Sequence, residues 1–259
     1  EREWLSYVRS AYKLNPLRGR SLAASAAILA GSRHTESEIP AAYRAKTIWL
    51  PENAIDPARF NLTAPQDLTG PLRACFIGRL VPYKGADMLI EAIAPLARDG
   101  QLVLDMIGDG PMMEGLRAQA RDLGIEAALT FHGNLPHEDV QSVAAQANLL
   151  TFPSIREFGG GVVLEAMALG VVPMVVDYAG PGELVTPNTG FKIPMGSRNQ
   201  IIAGLRTALG KILADPSVLP DLSRAARARA IENFTWPMKA RQIVRVYCWI
   251  LDGKPGSPP

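Results

Sequence analysis

The chain has 259 residues, 27 Lys and Arg against 25 Asp and Glu, and a formal net charge of +2. That length supports one large domain or two small ones with a real core, and so even a charge balance excludes a protein that lives on nucleic acid through a basic surface. No apolar run is long enough to span a bilayer and no leader-like start is visible, and two cysteines without metal-ligand spacing, Cys75 and Cys248, read as reduced core thiols of a cytoplasmic protein.

The first elements in chain order are a helix around Trp4, Leu5 and Val8, a strand at Ala26 to Ala30, a short helix at Glu36 to Tyr43 and a strand at Thr47 to Leu50. Ala23 to Ala30 is short for a membrane segment and reads as a buried strand. Residues 1–51 are too few to complete a doubly wound sheet and read as the end of a preceding domain. With Glu1 in first place, the chain reads as a fragment of a longer protein. Residues 52–71 contain several prolines and few apolar side chains, the composition of a linker.

Residues 72–234 read as one Rossmann-like domain, and from Pro71 to about Ile193 apolar runs alternate with helical patterns. Strands are expected at Arg73 to Gly78, Leu102 to Ile107, Ala128 to His132, Asn148 to Phe152, Val171 to Val176 and Phe191 to Ile193. Between them, Met88, Leu89, Ala92, Ile93 and Leu96 fall at helical spacing, as do Met113, Leu116, Ala120 and Leu123, then Val140, Val143 and Ala144. This alternation implies an α/β fold with a parallel sheet covered by helices on both faces. From Arg198 onward the pattern is helical, and residues 235–259 form a last helix, with Ile243, Val246, Tyr247 and Ile250 on one face, and a frayed tail from Asp252. The basic run Arg224 to Arg229 reads as the solvated face of a helix.

Two loops carry chemistry. Glu157-Phe158-Gly159-Gly160-Gly161-Val162-Val163-Leu164-Glu165 follows a buried strand and opens a helix, which is an anion-binding layout: the N–H groups of Gly160 to Val163 point out of the helix N-terminus. Carboxylates only accept hydrogen bonds, so Glu157 and Glu165 suit hydroxyl-rich groups on either side of a diphosphate, a sugar and a ribose. Taken alone, three glycines also read as a plain loop, and the helix dipole by itself favours Glu165. Arg79 and Lys84 leave another strand end beside Gly78, where α/β sheets bind ligands, and could neutralise a diphosphate; alone they also read as a solvated Lys and an Arg in a surface pair. His34, His132 and His137 show no ligand spacing, and His132 reads as structural rather than nucleotide-facing. Asp109 reads as capping a helix from Pro111.

The order G-R-L-x-x-x-K-G, I-G-D-G-P, F-H-G-N-L and E-F-G-G-G-V-V-L-E-A-M-A-L-G resembles the donor-binding half of GT-B glycosyltransferases, and within them the retaining family 4, or group 1, type. The resemblance runs from about Ile48 to Tyr247 and implies a GT-B type Rossmann-like domain with C-terminal helices. It implies a nucleotide-diphosphate sugar as donor, transfer of a hexosyl group to a saccharide or lipid-linked acceptor, and no cofactor or metal. It assigns Arg79 and Lys84 to the diphosphate and Glu157 to the donor sugar, these three being the catalytic set. Backbone N–H groups around Gly160, Gly161, Val162 and Val163 would complete the phosphate cradle, Gly78 and Gly159 would also line the donor site, Glu165 would hold the ribose, and Gly133, Asn134 and Leu135 the base. Group 1 enzymes also imply a parent protein at the inner membrane face in some cases.

Other readings stay open on the residues: a nucleotide-sugar epimerase of the same fold, or a non-catalytic nucleotide-sugar-binding module. A dinucleotide oxidoreductase would need G-x-G-x-x-G after the first strand, where the chain has G-R-L-V-P-Y. Asp177 and Tyr178 are bulkier than the resemblance leads one to expect, which places Tyr178 near the donor sugar or base.

Overall fold

The computed structural model describes residues 15–60, 67–254 and 256–259; the helix expected around Trp4 lies outside them. Two compact units are present, one of residues 1–51 with 240–259 and one of residues 52–239.

In the first unit, helix α1 (Pro16–Ala24) was not anticipated. Asn15 caps it, its Oδ1 accepting from Leu17 N–H at 2.9 Å, and Pro16 takes the first helical position where no N–H is needed. Strands β1 (Ile28–Ala30) and β2 (Thr47–Trp49) pair in parallel. The helix expected at Glu36 to Tyr43 is instead α2 (Arg33–Ser37), capped by Ser32, followed by a 3₁₀ segment, Ala41–Lys46. Pro40 explains the split, since the residue before a proline is steered out of the α region. Within this unit Val246 and Trp249 pack with Ile48, while Tyr247 is 61 % exposed, so the buried face of the last helix is turned from the expected one. Cys248 is exposed and is not a core thiol.

The second unit is built on a six-stranded parallel sheet: β3 (Leu72–Ile77), β4 (Leu102–Ile107), β5 (Leu129–Gly133), β6 (Leu149–Phe152), β7 (Val172–Val176) and β8 (Phe191–Ile193). The spatial order is β5-β4-β3-β6-β7-β8, so the chain winds outward from β3 one way and from β6 the other. One face carries α3 (Ala86–Arg98), α4 (Met113–Asp122) and α8 (Arg198–Ala214), which bury Leu89, Ile93, Leu116 and Leu205 against Phe76, Leu104 and Met106. The other carries α5 (His137–Ala144), α6 (Gly161–Ala168) and α9 (Leu219–Asn233), with Val163, Met167, Ala226 and Ala230 against Cys75, Leu150 and Val175. Helix α10 (Trp236–Leu251) follows.

Three features depart from the sequence reading. Ile55 and Phe60, in the expected linker, are 2 % and 4 % exposed and belong to the second core, and Ile55 bridges to Thr235. A helix, α7 (Ala179–Leu184), stands where no element was expected, entered through Ala179 at φ 45°. Arg227 and Arg229 are not a solvated face: they donate to Ala168 O at 2.7 Å and Leu184 O at 2.9 Å, satisfying carbonyls at the ends of α6 and α7. Burial holds the Arg229 guanidinium below its ordinary pKa.

Candidate functional site

The sheet reverses its winding between β3 and β6, and in open α/β folds the crevice beyond the strand ends at such a reversal is where ligands bind. The loop leaving β3 carries Gly78, Arg79 and Lys84, and the loop leaving β6 carries Glu157 and the glycines. The loops are tied together: Ile155 N–H donates to Tyr83 O at 2.9 Å, and Ser154 Oγ to the same oxygen at 3.3 Å.

Lys84 Nζ pairs with Glu157 Oε2, and the ammonium lies 4.8 Å from the centre of the Phe152 ring. Both partners are largely shielded from water. Arg79 is exposed and makes no ion pair among the described residues. It lines a cavity of about 240 Å³ with Gly78, Ile107, Asp109, Asn134 and Leu135, so the β3 loop and the Gly133 turn share one hollow. Asp109 sits in its rim, its Oδ1 accepting from Gly110 N–H at 2.6 Å. It does not cap α4, which begins at Met113.

The N-terminus of α6 is built by Gly160 at φ 68°, a left-handed conformation that a side chain would strain, with Pro181 packed so that a Cβ would lie 3.1 Å from its Cγ. Val163 N–H turns back to Gly160 O at 2.9 Å. The set of outward N–H groups is therefore Gly159 to Val162, shifted by one residue from the expected Gly160 to Val163; none of these four meets an acceptor among the described residues.

Glu165 lies one turn into α6. Burial pushes its carboxyl above the ordinary range, and His137 and then Arg59 offset part of that rise. His137 Nε2 is 3.6 Å from Glu165 Oε1, its ring meets Phe60 edge-on with centroids 5.9 Å apart, and Gln141 approaches its Nδ1 at 3.0 Å. Arg59 was not singled out from sequence, and His137 was set aside there because a lone histidine without ligand spacing carries no signal. His132 Nε2 lies 2.7 Å from Asp105 Oδ1, within the sheet. Tyr178 packs against the core on the α3 and α8 side of the sheet. Among the described residues no three His, Cys, Asp or Glu side chains converge as metal ligands, and no helix is long and apolar enough to cross a membrane.

Residues 62–229 match the family described as "Glycosyl transferases group 1". The chain is 33 % identical over 196 residues to a glycogen synthase of Mycobacterium tuberculosis, covering 75 % of this chain and 47 % of that protein. It is 32 % identical over 187 residues to a GDP-mannose-dependent alpha-(1-6)-phosphatidylinositol monomannoside mannosyltransferase of Mycolicibacterium smegmatis, covering 68 % and 47 %. The chain thus spans about half the length of the curated relatives it matches. Among solved structures, Anabaena HepE in complex with UDP and glucose superposes with a TM-score of 0.70 at 21 % identity, covering 86 % of this chain and 63 % of that one; the shared architecture is the GT-B fold.

Proposed function

The chain belongs to the group 1 glycosyl transferases, and from that premise we propose that it carries the donor site of a retaining, nucleotide-sugar-dependent hexosyltransferase. The observation that carries this reading is the convergence at one sheet reversal of a cation–carboxylate pair, Lys84 and Glu157, with the open N-terminus of α6. The GDP-mannose dependence named for the mycolicibacterial relative supports a nucleotide-sugar donor.

In this reading the diphosphate sits against the N–H groups of Gly159 to Val162, where the helix dipole favours negative charge. Arg79 and Lys84 stabilise the charge that grows on the departing nucleoside diphosphate as the glycosidic carbon–oxygen bond breaks. Lys84 and Glu157 neutralise each other, so a donor that engages both exchanges one ion pair for two charge-assisted contacts, phosphate to Lys84 and a sugar hydroxyl to Glu157. Glu165 accepts from the ribose hydroxyls, with His137 beside it. The hollow at Gly133, Asn134 and Leu135 takes the base, largely through backbone. The acceptor, a saccharide or a lipid-linked sugar, attacks the face that the diphosphate leaves, which preserves the anomeric configuration; peripheral placement at the inner face of the cytoplasmic membrane suits such an acceptor.

Calorimetric titration with UDP, GDP and ADP, repeated on Arg79→Ala and Glu165→Ala, tests the reading. One nucleotide should bind the unsubstituted chain and bind each variant more weakly. Binding that both substitutions leave unchanged would move the donor elsewhere.

A further inference from the structure

We infer that Asn53 is a further donor-contacting residue, its carboxamide joining the N–H groups of Gly159 to Val162 on the outer phosphate; this deepens the reading above and rests on it. Asn53 belongs to the same compact unit as the glycine loop. A Cβ placed on Gly159 would lie 2.0 Å from Asn53 Nδ2, and one on Gly161 would lie 3.6 Å from its Cγ, so the carboxamide spans the loop from Gly159 to Gly161. The side chain is half-buried, and among the described residues its amide meets no hydrogen-bond partner. An amide nitrogen offers two donors, and the backbone N–H groups of the loop it packs on also lack acceptors. Donors converging from a side chain and a helix N-terminus match a group that only accepts and carries negative charge, a phosphate oxygen.

The same contact explains Gly159. Its φ lies outside the left-handed region that demands glycine, so the backbone would tolerate a side chain. The space is closed by Asn53 Nδ2 and, at 2.8 Å from the same Cβ position, by Glu52 Oε1. Glu52 is exposed and free to swing away; the short Asn53 side chain can yield only by moving its amide. Glu52, like Glu157, is a carboxylate that would oppose a phosphate here, and the Lys239 ammonium offsets part of its charge. Gly159 therefore keeps Asn53 in place.

The test is a double-mutant cycle in nucleotide affinity. The probe is whichever of UDP, GDP and ADP binds the unsubstituted chain best, titrated beside its nucleoside. Asn53→Ala should weaken the diphosphate about 10-fold and leave the nucleoside unchanged. Asn53→Asp, nearly the same size, should weaken it further by repulsion. Gly159→Ala should weaken it too, yet add less than about twofold once Asn53 is already Ala. Diphosphate affinity unchanged in both Asn53 variants, or a Gly159→Ala effect undiminished in the Asn53→Ala background, would overturn this inference alone. No diphosphate binding by the unsubstituted chain would overturn it together with the donor-site reading.

Discussion

Lys84→Met is the perturbation that most sharply probes the site's electrostatics. Methionine keeps the aliphatic stem on the Phe152 ring, 4.8 Å from the present ammonium, and removes only the charge. The side chains of Lys84 and Glu157 retain 16 % and 23 % exposure, so the pair is neither a surface ion pair nor a fully buried one. Exposed pairs contribute about 0–1 kcal/mol, while stranding a buried carboxylate costs about 3–5 kcal/mol, which brackets Lys84→Met at about 1–3 kcal/mol. For a domain of this size each kcal/mol lowers the melting midpoint by about 2–4 °C. Replacing the stranded acid as well, in Lys84→Met/Glu157→Gln, should recover about 1 kcal/mol or more, since the two effects are not independent. Urea unfolding of the parent, both single variants and the double variant gives the coupling directly, provided the slopes agree. The same Lys84 variant should weaken nucleoside diphosphate binding by about 10-fold or more, the loss of one charge-assisted contact. A loss under about 0.5 kcal/mol with additive singles would refute the pairing of Lys84 with Glu157.

Four further outcomes follow from the geometry. Gly108 stands at φ 128° with Gly78 O only 2.1 Å from any Cβ, so Gly108→Ala should lower stability by about 2 kcal/mol or more; an unchanged melting midpoint would contradict the close approach of the β3 and β4 exits. Glu165 has its folded pKa raised by burial, so the native chain holds that proton more tightly, and stability falls as pH climbs from the ordinary carboxylate range through the raised value. Glu165→Gln should thus raise the melting midpoint at neutral pH, lose that gain in acid, and weaken nucleotide binding; a gain that persists in acid would refute the assignment to titration. Arg227→Ala removes the donor to Ala168 O and should cost about 1–2 kcal/mol in urea unfolding, whereas a solvated arginine would cost nothing measurable. Burial pushes the Cys75 thiol up and Cys248 is exposed, so a thiol reagent should label Cys248 at once and Cys75 only on unfolding; two fast thiols would contradict the burial of β3.

The sheet was legible because most of its strands are short apolar runs closed by glycine or proline, the central ones buried on both faces, and because helices of clear period separate them. The two loops were legible for a related reason: glycines and paired charges at strand ends are unusual enough to register. What stayed hidden depends on distance along the chain. Arg227 and Arg229 looked solvated because the carbonyls they satisfy lie 59 and 45 residues away. Ile55 and Phe60 stand alone in a proline-rich stretch with no period to announce a buried face. Helix α7 contains Gly180, Pro181 and Gly182, which local propensity reads as a turn and which packing overrides; a Cβ on Gly180 would lie 2.0 Å from Phe158 O. Asn53 and His137 carry no local signature, and only the fold brings them to the loop and to Glu165.

The central assignment, a nucleoside diphosphate held at the β3–β6 reversal, is tested most directly by amide chemical shifts of the isotopically labelled chain during titration with the nucleotide that binds. The donor site predicts the largest changes at Gly78, Arg79 and Gly159 to Val162, with Asp105 and Thr130, on the sheet behind it, little moved. Changes confined to residues 15–50 and 240–254, or centred on the sheet face around Asp105 and His132, would contradict it.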